Sequence, residues 1–302
     1  MYLNLRVPLF VLAGALTLCT VAVVVATVPP APDPPPPYRV NLSTMRLPDS
    51  LSFCGEPVPL DELDVRQKLE RELLAISQDD GQVILYIKRS ATHFPTFERV
   101  LKEEDAPDDL KYLSVAESAL YMAQSSKGAV GLWQFIPETG RRYGLLINDS
   151  VDERRNVEKS TRAAVRYLKD NQRAFRGWTL SAAAYNMGEG ALADDIKFQR
   201  RVSYYDLYLN EETSRYLFRI LAIKVIMANP QAWGIVIDKR DRYDMPATET
   251  VEVRERIPDL AAWAAEHGCR YKDVKLLNPW ILRRALPAPP TGGSWAVLVP
   301  EH

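Results

Sequence analysis

A carboxylate lies in the middle of an apolar stripe on one predicted helix. Asp105 and Pro107 mark the start of this helix, because acidic residues and proline are typical of a first helical turn. Counted from Leu110 at about 100° per residue, Leu113 falls at roughly 300° and Glu117 at roughly 340°. Glu117 is therefore expected to lie among apolar neighbours.

The same count places Tyr121 on the apolar stripe. Lys111, Val115 and Ser118 are predicted to lie on other faces of the helix. A charged group inside the stripe is costly unless it is neutral or paired. Burial raises the pKa of a carboxyl group and lets it act as a general acid near neutral pH. The structural alternative is a buried Glu117 held by an arginine or backbone amides, and this helix alone does not separate the two.

Three further stretches, "GAVGLWQF", "AAYNMGEG" and "ETSRYLFRI", combine aromatic, amide and glycine residues. Glycine in the first stretch allows close approach of the backbone to a ligand. Taken alone, Tyr185 is better explained as a core residue with a satisfied hydroxyl, and Asn186 as a helix-end residue. The joint occurrence of the stretches favours a functional site. Its candidate residues are Gln134, Tyr185, Asn186 and Tyr216.

The body of the chain, residues 51–248, is predicted to be α-rich, with no strand before residue 249. Helical spacing covers "LDELDVRQKLERELLAISQ", "HFPTFERVLKEE", "ERRNVEKSTRAAVRYLKDNQRAF" and "ETSRYLFRILAIKVIMANP". "TLSAAAYNMGEG" is predicted to be a short helix closed by Gly188 and Gly190. The charged run "DERRN" is interpreted as a turn and helix-start network rather than as a site. Residues 249–302 read differently and predict a β-α-α-β order, with a Pro/Gly loop before the last strand.

The N-terminus is predicted to be a membrane segment. Val7 to Val28 form a stretch of 22 residues without a charge. That length can span a bilayer and exceeds the usual signal-peptide core of about 7–15 residues. We interpret residues 1–28 as an uncleaved signal anchor, with a cleaved signal peptide as the alternative. Residues 29–50 are a Pro-rich linker, which would act as a stiff spacer between the membrane and the folded body.

Composition excludes several classes of protein. The net charge of −1 over 302 residues lacks the basic footprint of a nucleic-acid binder. The three histidines are scattered and no Cys/His cluster has metal spacing, so neither a metal nor a cofactor is predicted. In an exported protein Cys54 and Cys269 can pair, but spacing does not fix connectivity.

The four stretches in this order resemble a family 1 lytic transglycosylase, and most closely the membrane-bound type D subgroup. The resemblance covers about residues 56–234, including "LKYLSVAESAL", "GAVGLWQFIPETGRRYGL" and "WTLSAAAYNMGEG". It implies a mainly α fold of the lysozyme-like α+β superfamily for residues 51–248. The tail resembles a degenerate LysM module, a peptidoglycan-binding fold, with "KLLNPWI" as its most typical piece. Arg256, Ile257 and Pro258 replace the usual Gly-Asp-Thr turn, which puts sugar binding by the tail in doubt.

The resemblance also implies roles for individual residues. Glu117 matches the sole catalytic acid/base. Between Glu117 and Gly128 the chain is one residue shorter than the family pattern, so the cleft-lining serine is Ser125 or Ser126; we take Ser126. The residues that the resemblance places around the sugar are Ser118, Ser126, Gln134, Tyr185, Asn186 and Tyr216.

The implied activity is non-hydrolytic cleavage of the β-1,4 bond between N-acetylmuramic acid and N-acetylglucosamine, with formation of a 1,6-anhydro ring. Glycoside hydrolysis normally uses two carboxylates, whereas this constellation offers one. Expected partners are peptidoglycan strands and, through the N-terminus, the inner membrane facing the periplasm; no nucleic acid is expected. One alternative is a muramidase with a second acid, for which Glu189 is the candidate. Another is a peptidoglycan-binding protein that has lost turnover.

Overall fold

Residues 46–301 are described by the computed structural model of the chain. The predicted signal anchor and most of the Pro-rich linker lie outside the described residues. Between residues 46 and 301, none of the helices combines the length and the apolar character needed to cross a membrane.

The body is built from helices joined by short 3₁₀ turns, which confirms the prediction of a mainly α fold. Its eight α-helices within the described residues are α1 (Leu63–Ser77), α2 (Asp80–Glu103), α3 (Lys111–Ser118), α4 (Pro137–Arg142), α5 (Val157–Phe175), α6 (Trp178–Met187), α7 (Glu189–Gln199) and α8 (Glu211–Ala228). The 3₁₀ turns are Asp108–Leu110, Glu153–Arg155, Tyr204–Asp206, Pro230–Trp233 and Lys239–Asp241.

Helix α8 forms the centre of the body, because α1, α3 and α6 all pack against it. Its inward residues include Tyr216, Leu217 and Ile220, which are almost completely buried. Helix α5 covers α6 and α2 from the other side. This arrangement sets the short helix α3, which carries Glu117, directly against α8.

Two local predictions for the body are wrong. A small antiparallel hairpin, β1 (Ser52–Phe53) and β2 (Glu56–Pro57), precedes residue 249. Strands of two residues are too short to produce an alternating pattern, so periodicity could not reveal them. Gly188 does end α6, with φ +91°, but Gly190 lies inside the next helix, α7, rather than in a loop.

The tail has the predicted β-α-α-β order. It consists of β3 (Thr248–Val253), α9 (Leu260–Glu266), α10 (Tyr271–Leu277) and β4 (Trp295–Pro300). Strands β3 and β4 pair antiparallel, with Thr248 opposite Pro300 and Val253 opposite Trp295. Cys269 in the tail and Cys54 in the body are both free thiols.

The tail shares its hydrophobic core with one segment of the body. Val151 is fully buried among the apolar residues of the tail and forms a β-bridge with Ile281. The backbone N–H of Asp152 donates to the Trp280 carbonyl at 2.9 Å, and the N–H of Leu282 donates to the Ser150 carbonyl at 2.9 Å. The tail is therefore docked on the body through residues 150–152.

Candidate active site

Glu117 lies near the end of α3, a helix of eight residues. The helix stops because Ala119 and Leu120 adopt left-handed backbone, with φ of 54° and 55°. Tyr121, predicted on the apolar stripe, therefore lies beyond the helix and is 62% exposed. That prediction is wrong because the regular spacing ends at Ser118.

The other faces of α3 are buried as well as the apolar stripe. Lys111, Val115 and Ser118 are all buried, although the angular count places them away from the stripe. Helix α3 packs against α8 on one side and α2 on another, so little of its surface faces solvent. Apolar periodicity describes a helix with one buried side, and α3 is enclosed on several.

The Glu117 carboxyl is partly buried and accepts a hydrogen bond from the Tyr216 hydroxyl, with Oη and Oε1 2.5 Å apart. Burial raises the pKa of Glu117 to about 7; the hydrogen bond from Tyr216 lowers it, the Glu212 charge raises it and the Arg219 charge lowers it. Burial dominates, as expected for a carboxyl taken out of water. The group is therefore divided between its acid and its base form at neutral pH.

Two tyrosines keep their hydroxyl protons beside this carboxyl. Burial raises the pKa of Tyr216 and of Tyr185 well above the ordinary value, and the Glu117 charge adds to both effects. The Tyr185 hydroxyl donates to the Trp133 carbonyl at 2.6 Å. Both tyrosines can thus act as hydrogen-bond donors at any physiological pH.

The α3–α4 loop, residues 119–136, is held against the back of α3 by hydroxyl groups. Ser114 and Ser118 each donate from Oγ to the Leu132 carbonyl at 2.9 Å. The indole N–H of Trp133 donates to Thr161 Oγ1 at 3.0 Å, and the Trp133 side chain is fully buried. Ser118, assigned to the sugar cleft by the resemblance, is therefore buried and engaged with the loop backbone.

Gln134 also stabilises this loop, because its side chain bonds to carbonyl groups of the loop backbone. Its backbone φ is +49°, and its side-chain Nε2 donates to the Gly131 carbonyl at 2.8 Å and to the Ala123 carbonyl at 3.3 Å. Ser125 Oγ accepts a hydrogen bond from the Ala129 N–H at 3.0 Å, whereas Ser126 is exposed. Of the two serines left open by the sequence, only Ser125 is tied into the turn.

Asn186, on α6, faces the start of α8. Its Oδ1 accepts a hydrogen bond from Thr213 Oγ1 at 2.8 Å. Thr213 also takes part in the N-cap of α8: its backbone N–H donates to Oδ1 of the N-cap residue, Asn210, at 2.9 Å. Helix α8, which carries Tyr216, thus also orients the Asn186 amide. Three of the sequence-predicted residues, Glu117, Asn186 and Tyr216, therefore lie on or against α8.

Arg154 secures the α3–α4 loop and was not singled out as a site residue. Its guanidinium donates to both carboxylate oxygens of Asp152, at 2.9 and 2.8 Å. Its Nη1 donates to the carbonyls of Gly128 at 2.9 Å and Phe135 at 3.1 Å, near the two ends of the "GAVGLWQF" stretch. The interpretation of "DERRN" as a structural network is confirmed, and its target is the loop beside Glu117.

Glu189, the candidate second acid, lies at the start of α7. One carboxylate oxygen forms an ion pair with Arg142 on α4 at 3.1 Å. The pair joins α4 to α7, while the other carboxylate oxygen, Oε1, is buried without a hydrogen-bond partner among residues 46–301. The structure thus gives Glu189 a structural partner of its own.

Gly131→Ala is expected to destabilise the protein much more than Gly128→Ala. Both glycines have positive φ, +88° and +79°, which costs an alanine roughly 1–2 kcal/mol. A Cβ on Gly131 would lie 2.1 Å from the Arg154 carbonyl oxygen, whereas a Cβ on Gly128 would meet nothing within 4 Å. We expect the free energy of unfolding to fall by roughly 2–5 kcal/mol for Gly131→Ala, since overpacking adds to the strain.

Chemical denaturation of the two variants measures this difference directly. Gly128→Ala is the matched control, because it has the same backbone strain without the clash. If both variants lose the same free energy of unfolding, the Arg154 carbonyl does not lie as close to Gly131 as described.

Two family models match the chain. The model described as "Transglycosylase SLT domain" matches residues 95–207, and the model described as "Soluble lytic transglycosylase C-terminal LysM-like domain" matches residues 249–302. The first match contains Glu117, Gln134, Tyr185 and Asn186, and the second covers the β-α-α-β tail.

Curated relatives agree with these models. Membrane-bound lytic murein transglycosylase D of Escherichia coli (strain K12) is 32% identical over 207 residues, which is 67% of this chain and 44% of the relative. The protein of the same name from Escherichia coli O6:H1 matches to the same extent. The chain thus spans less than half the length of these relatives.

Among solved structures, an inactive mutant of lytic transglycosylase Slt from Pseudomonas aeruginosa is 26% identical to the chain. The match covers 50% of this chain and 26% of that one, with a TM-score of 0.39, so the fold assignment rests on the family models. The predicted resemblance is confirmed at the level of domains: residues 95–207 match the transglycosylase SLT domain, and residues 249–302 match the LysM-like C-terminal domain of soluble lytic transglycosylases.

Proposed function

We propose that the chain is a lytic transglycosylase that cleaves the β-1,4 bond between N-acetylmuramic acid and N-acetylglucosamine in peptidoglycan. The observation that carries the proposal is the partly buried carboxyl of Glu117, which accepts a hydrogen bond from Tyr216 inside the matched SLT domain and has its pKa raised to about 7. A group with that pKa is present in both the acid and the base form at neutral pH, and the reaction needs each in turn.

The proposed reaction has two proton transfers. Protonated Glu117 gives its proton to the glycosidic oxygen as the bond between that oxygen and the anomeric carbon breaks. The Glu117 carboxylate then takes the proton of the muramic acid 6-hydroxyl, and the freed oxygen bonds to the anomeric carbon. This closes the 1,6-anhydro ring, restores protonated Glu117 and consumes no water.

The tyrosines and amides of the site would support these steps. Tyr216 donates to the Glu117 carboxylate and therefore favours its charged form, which keeps the pKa from rising further. Tyr185, Gln134 and Asn186 supply donors and acceptors suited to sugar hydroxyl and acetamido groups. We assign Ser126, which is exposed on the α3–α4 loop, to the rim of the cleft.

A hydrolase on the same fold is less well supported. Hydrolysis needs a group that activates water, normally a second carboxylate. Glu189 is engaged with Arg142, and Glu117 accepts its hydrogen bond from a tyrosine. We further propose that the protein acts in the periplasm, tethered to the membrane by residues 1–28, in line with the membrane-bound relatives named above.

The proposal is tested by incubating the full chain with purified peptidoglycan and weighing the released muropeptides by mass spectrometry. Products one water lighter than the hydrolytic ones, ending in the anhydro sugar, are expected. Products with reducing ends would move the assignment to a muramidase. A protein that sediments with the wall and releases nothing would be a binding module.

Tyr216→Phe is expected to move the alkaline limb of the pH–rate profile to higher pH. The Tyr216 hydroxyl stabilises the charged form of Glu117, so its removal raises the pKa of the acid. In the wild type, kcat/KM should fall as pH rises through about 7, where Glu117 loses its proton. Tyr185→Phe serves as the control, because Tyr185 donates to a backbone carbonyl instead. If the alkaline limb of Tyr216→Phe does not move, or moves to lower pH, the limb does not report the titration of Glu117.

Glu117→Gln is expected to stabilise the protein at alkaline pH. The folded-state pKa of about 7 lies above the ordinary 4.5, so the folded state holds its proton more tightly than the unfolded one. Wild-type stability should therefore fall between pH 4.5 and 7, by up to about 3 kcal/mol, and stay low above pH 7. A neutral glutamine escapes this loss.

Denaturation curves at pH 4 and pH 8 measure the effect. The variant and the wild type should differ little at pH 4, and the variant should be the more stable at pH 8. The exposed Glu138→Gln is the control and should show no such pH dependence. A Glu117→Gln variant that is less stable than wild type at pH 8 would contradict the raised pKa.

A further inference from the structure

A cavity of about 420 Å³ lies where the α3–α4 loop meets the LysM-like domain. The loop contributes Gln124 and Val130 to its lining, and the domain contributes Leu282 and Arg283. The rest of the lining comes from residues 147–155, the segment on which the domain is docked. The cavity is thus assembled from both parts of the protein and is not used by the reaction proposed above.

One arginine of this cavity has spare hydrogen-bonding capacity. The Nε of Arg155 is buried and has no hydrogen-bond partner among residues 46–301. Its Nη2 makes one long contact, 3.4 Å from Gln124 Oε1, and the nearest carboxylate oxygen of Asp152 lies 3.9 Å from Nε. Asp152 is already bonded on both oxygens by Arg154. A buried donor without a partner is costly, which points to a ligand that completes it.

A second arginine is held in place from the LysM-like side. Arg283 donates from Nε to the Asp149 carbonyl at 2.7 Å, which fixes the guanidinium by one edge. The structure gives its two terminal nitrogens no hydrogen bond to the described residues, and the side chain is exposed. Arg155 and Arg283 therefore line one cavity with several unused donors.

The charge of the lining favours an anion. Three arginines face two acids, Asp149 and Asp152, which leaves one net positive charge. A further cation, Lys275, lies close enough for the Arg155 charge to act on it: burial lowers the pKa of Lys275, and Arg155 lowers it further. Guanidinium groups pair with carboxylates through two parallel hydrogen bonds, so a carboxylate is the anion that this geometry suits.

We propose that this cavity binds a carboxylate of the peptidoglycan peptide stem through Arg155 and Arg283. The inference rests on the proposed function, because a peptidoglycan strand is the substrate that brings acidic stems to the protein. Gln124 adjoins Ala123, whose carbonyl accepts the Gln134 amide, so one loop joins the cavity to the catalytic cleft. Stem binding is thereby a source of substrate selectivity separate from the sugar contacts.

Binding is tested on the full chain by calorimetry with three probes. These are a free tetrapeptide stem, the same peptide with every carboxyl amidated, and inorganic phosphate. The free stem should bind about tenfold or more tighter than the amidated one, as expected for loss of a charge-assisted hydrogen bond. Equal binding of the two peptides would overturn the proposal, as would phosphate binding as tightly as the stem.

Two variants locate the site and a third controls for charge. Arg283→Gln and Arg155→Gln should each weaken stem binding about tenfold. Both should also lower the ratio of kcat/KM on stem-bearing strands to kcat/KM on stem-free strands. Arg284→Gln removes the same charge from the neighbouring exposed residue, which does not line the cavity, and should leave binding unchanged. Undiminished binding in both cavity variants would overturn the assignment.

The proposed function and the stem site can fail separately. If the wild type releases no anhydro products from either kind of strand, the proposed function fails, while calorimetry still reports on the cavity. If anhydro products appear and the free stem does not bind, the function stands and the stem site is refuted.

Discussion

Glu117→Gln should lower the rate of anhydro-muropeptide release by about 10²–10⁴-fold, the range for loss of a general acid–base group. The glutamine keeps the size of the side chain and can still accept the hydrogen bond from Tyr216. It has no proton to give to the glycosidic oxygen and no charge with which to take one from the 6-hydroxyl. Product release from purified strands, followed by mass spectrometry, measures the rate.

Glu189→Gln is the matched control for this experiment. It makes the same chemical change at the other glutamate considered for catalysis, which is engaged with Arg142. Activity close to wild type is expected. If Glu189→Gln lowers the rate of product release strongly and Glu117→Gln lowers it little, Glu189 is the catalytic acid, which contradicts the role assigned to Glu117.

Arg154→Met should cost about 3–5 kcal/mol of stability, the loss that follows removal of one partner of a buried ion pair. Arg154 and Asp152 are 7% and 5% exposed, so the abandoned carboxylate would be left in a site that water reaches poorly. The carbonyls of Gly128 and Phe135 would lose their donor at the same time. The melting temperature should fall by roughly 6–20 °C, using about 2–4 °C per kcal/mol for a domain of this size.

The activity of Arg154→Met should fall as well, because the α3–α4 loop carries Gln134 and lies beside Glu117. Arg173→Met is the control: it breaks an arginine–aspartate pair with Asp170 on the exposed face of α5. Exposed pairs of this kind contribute at most about 1 kcal/mol. If both variants lose similar stability, the buried network does not hold the loop.

Sequence spacing missed α4, which has only six residues, and α7, because Gly190 indicates a stop where that helix begins. It captured the other six body helices and the β-α-α-β order of the tail, whose residues follow regular patterns. It also placed Glu117 among apolar neighbours, which the raised pKa reflects. The count failed on Tyr121 because α3 is short and is ended by two left-handed residues. No periodicity encodes such an ending.

The role of Arg154 could not be derived from its spacing either. Its partners lie two residues away at Asp152, but also 26 residues before it at Gly128. A run such as "DERRN" signals a network without naming the backbone carbonyls that complete it. The docking of the LysM-like domain on Val151 is likewise a long-range contact, since Val151 and Ile281 become neighbours only in the fold.

The most direct test of the central claim is cleavage of purified glycan strands by the full chain in water enriched in heavy oxygen. Single-carboxylate chemistry at Glu117 predicts anhydro products without label, since the 6-hydroxyl of the substrate supplies the oxygen that bonds to the anomeric carbon. Heavy oxygen at the new ends would show that water is the nucleophile, and would contradict the proposal that Glu117 works without a second acid.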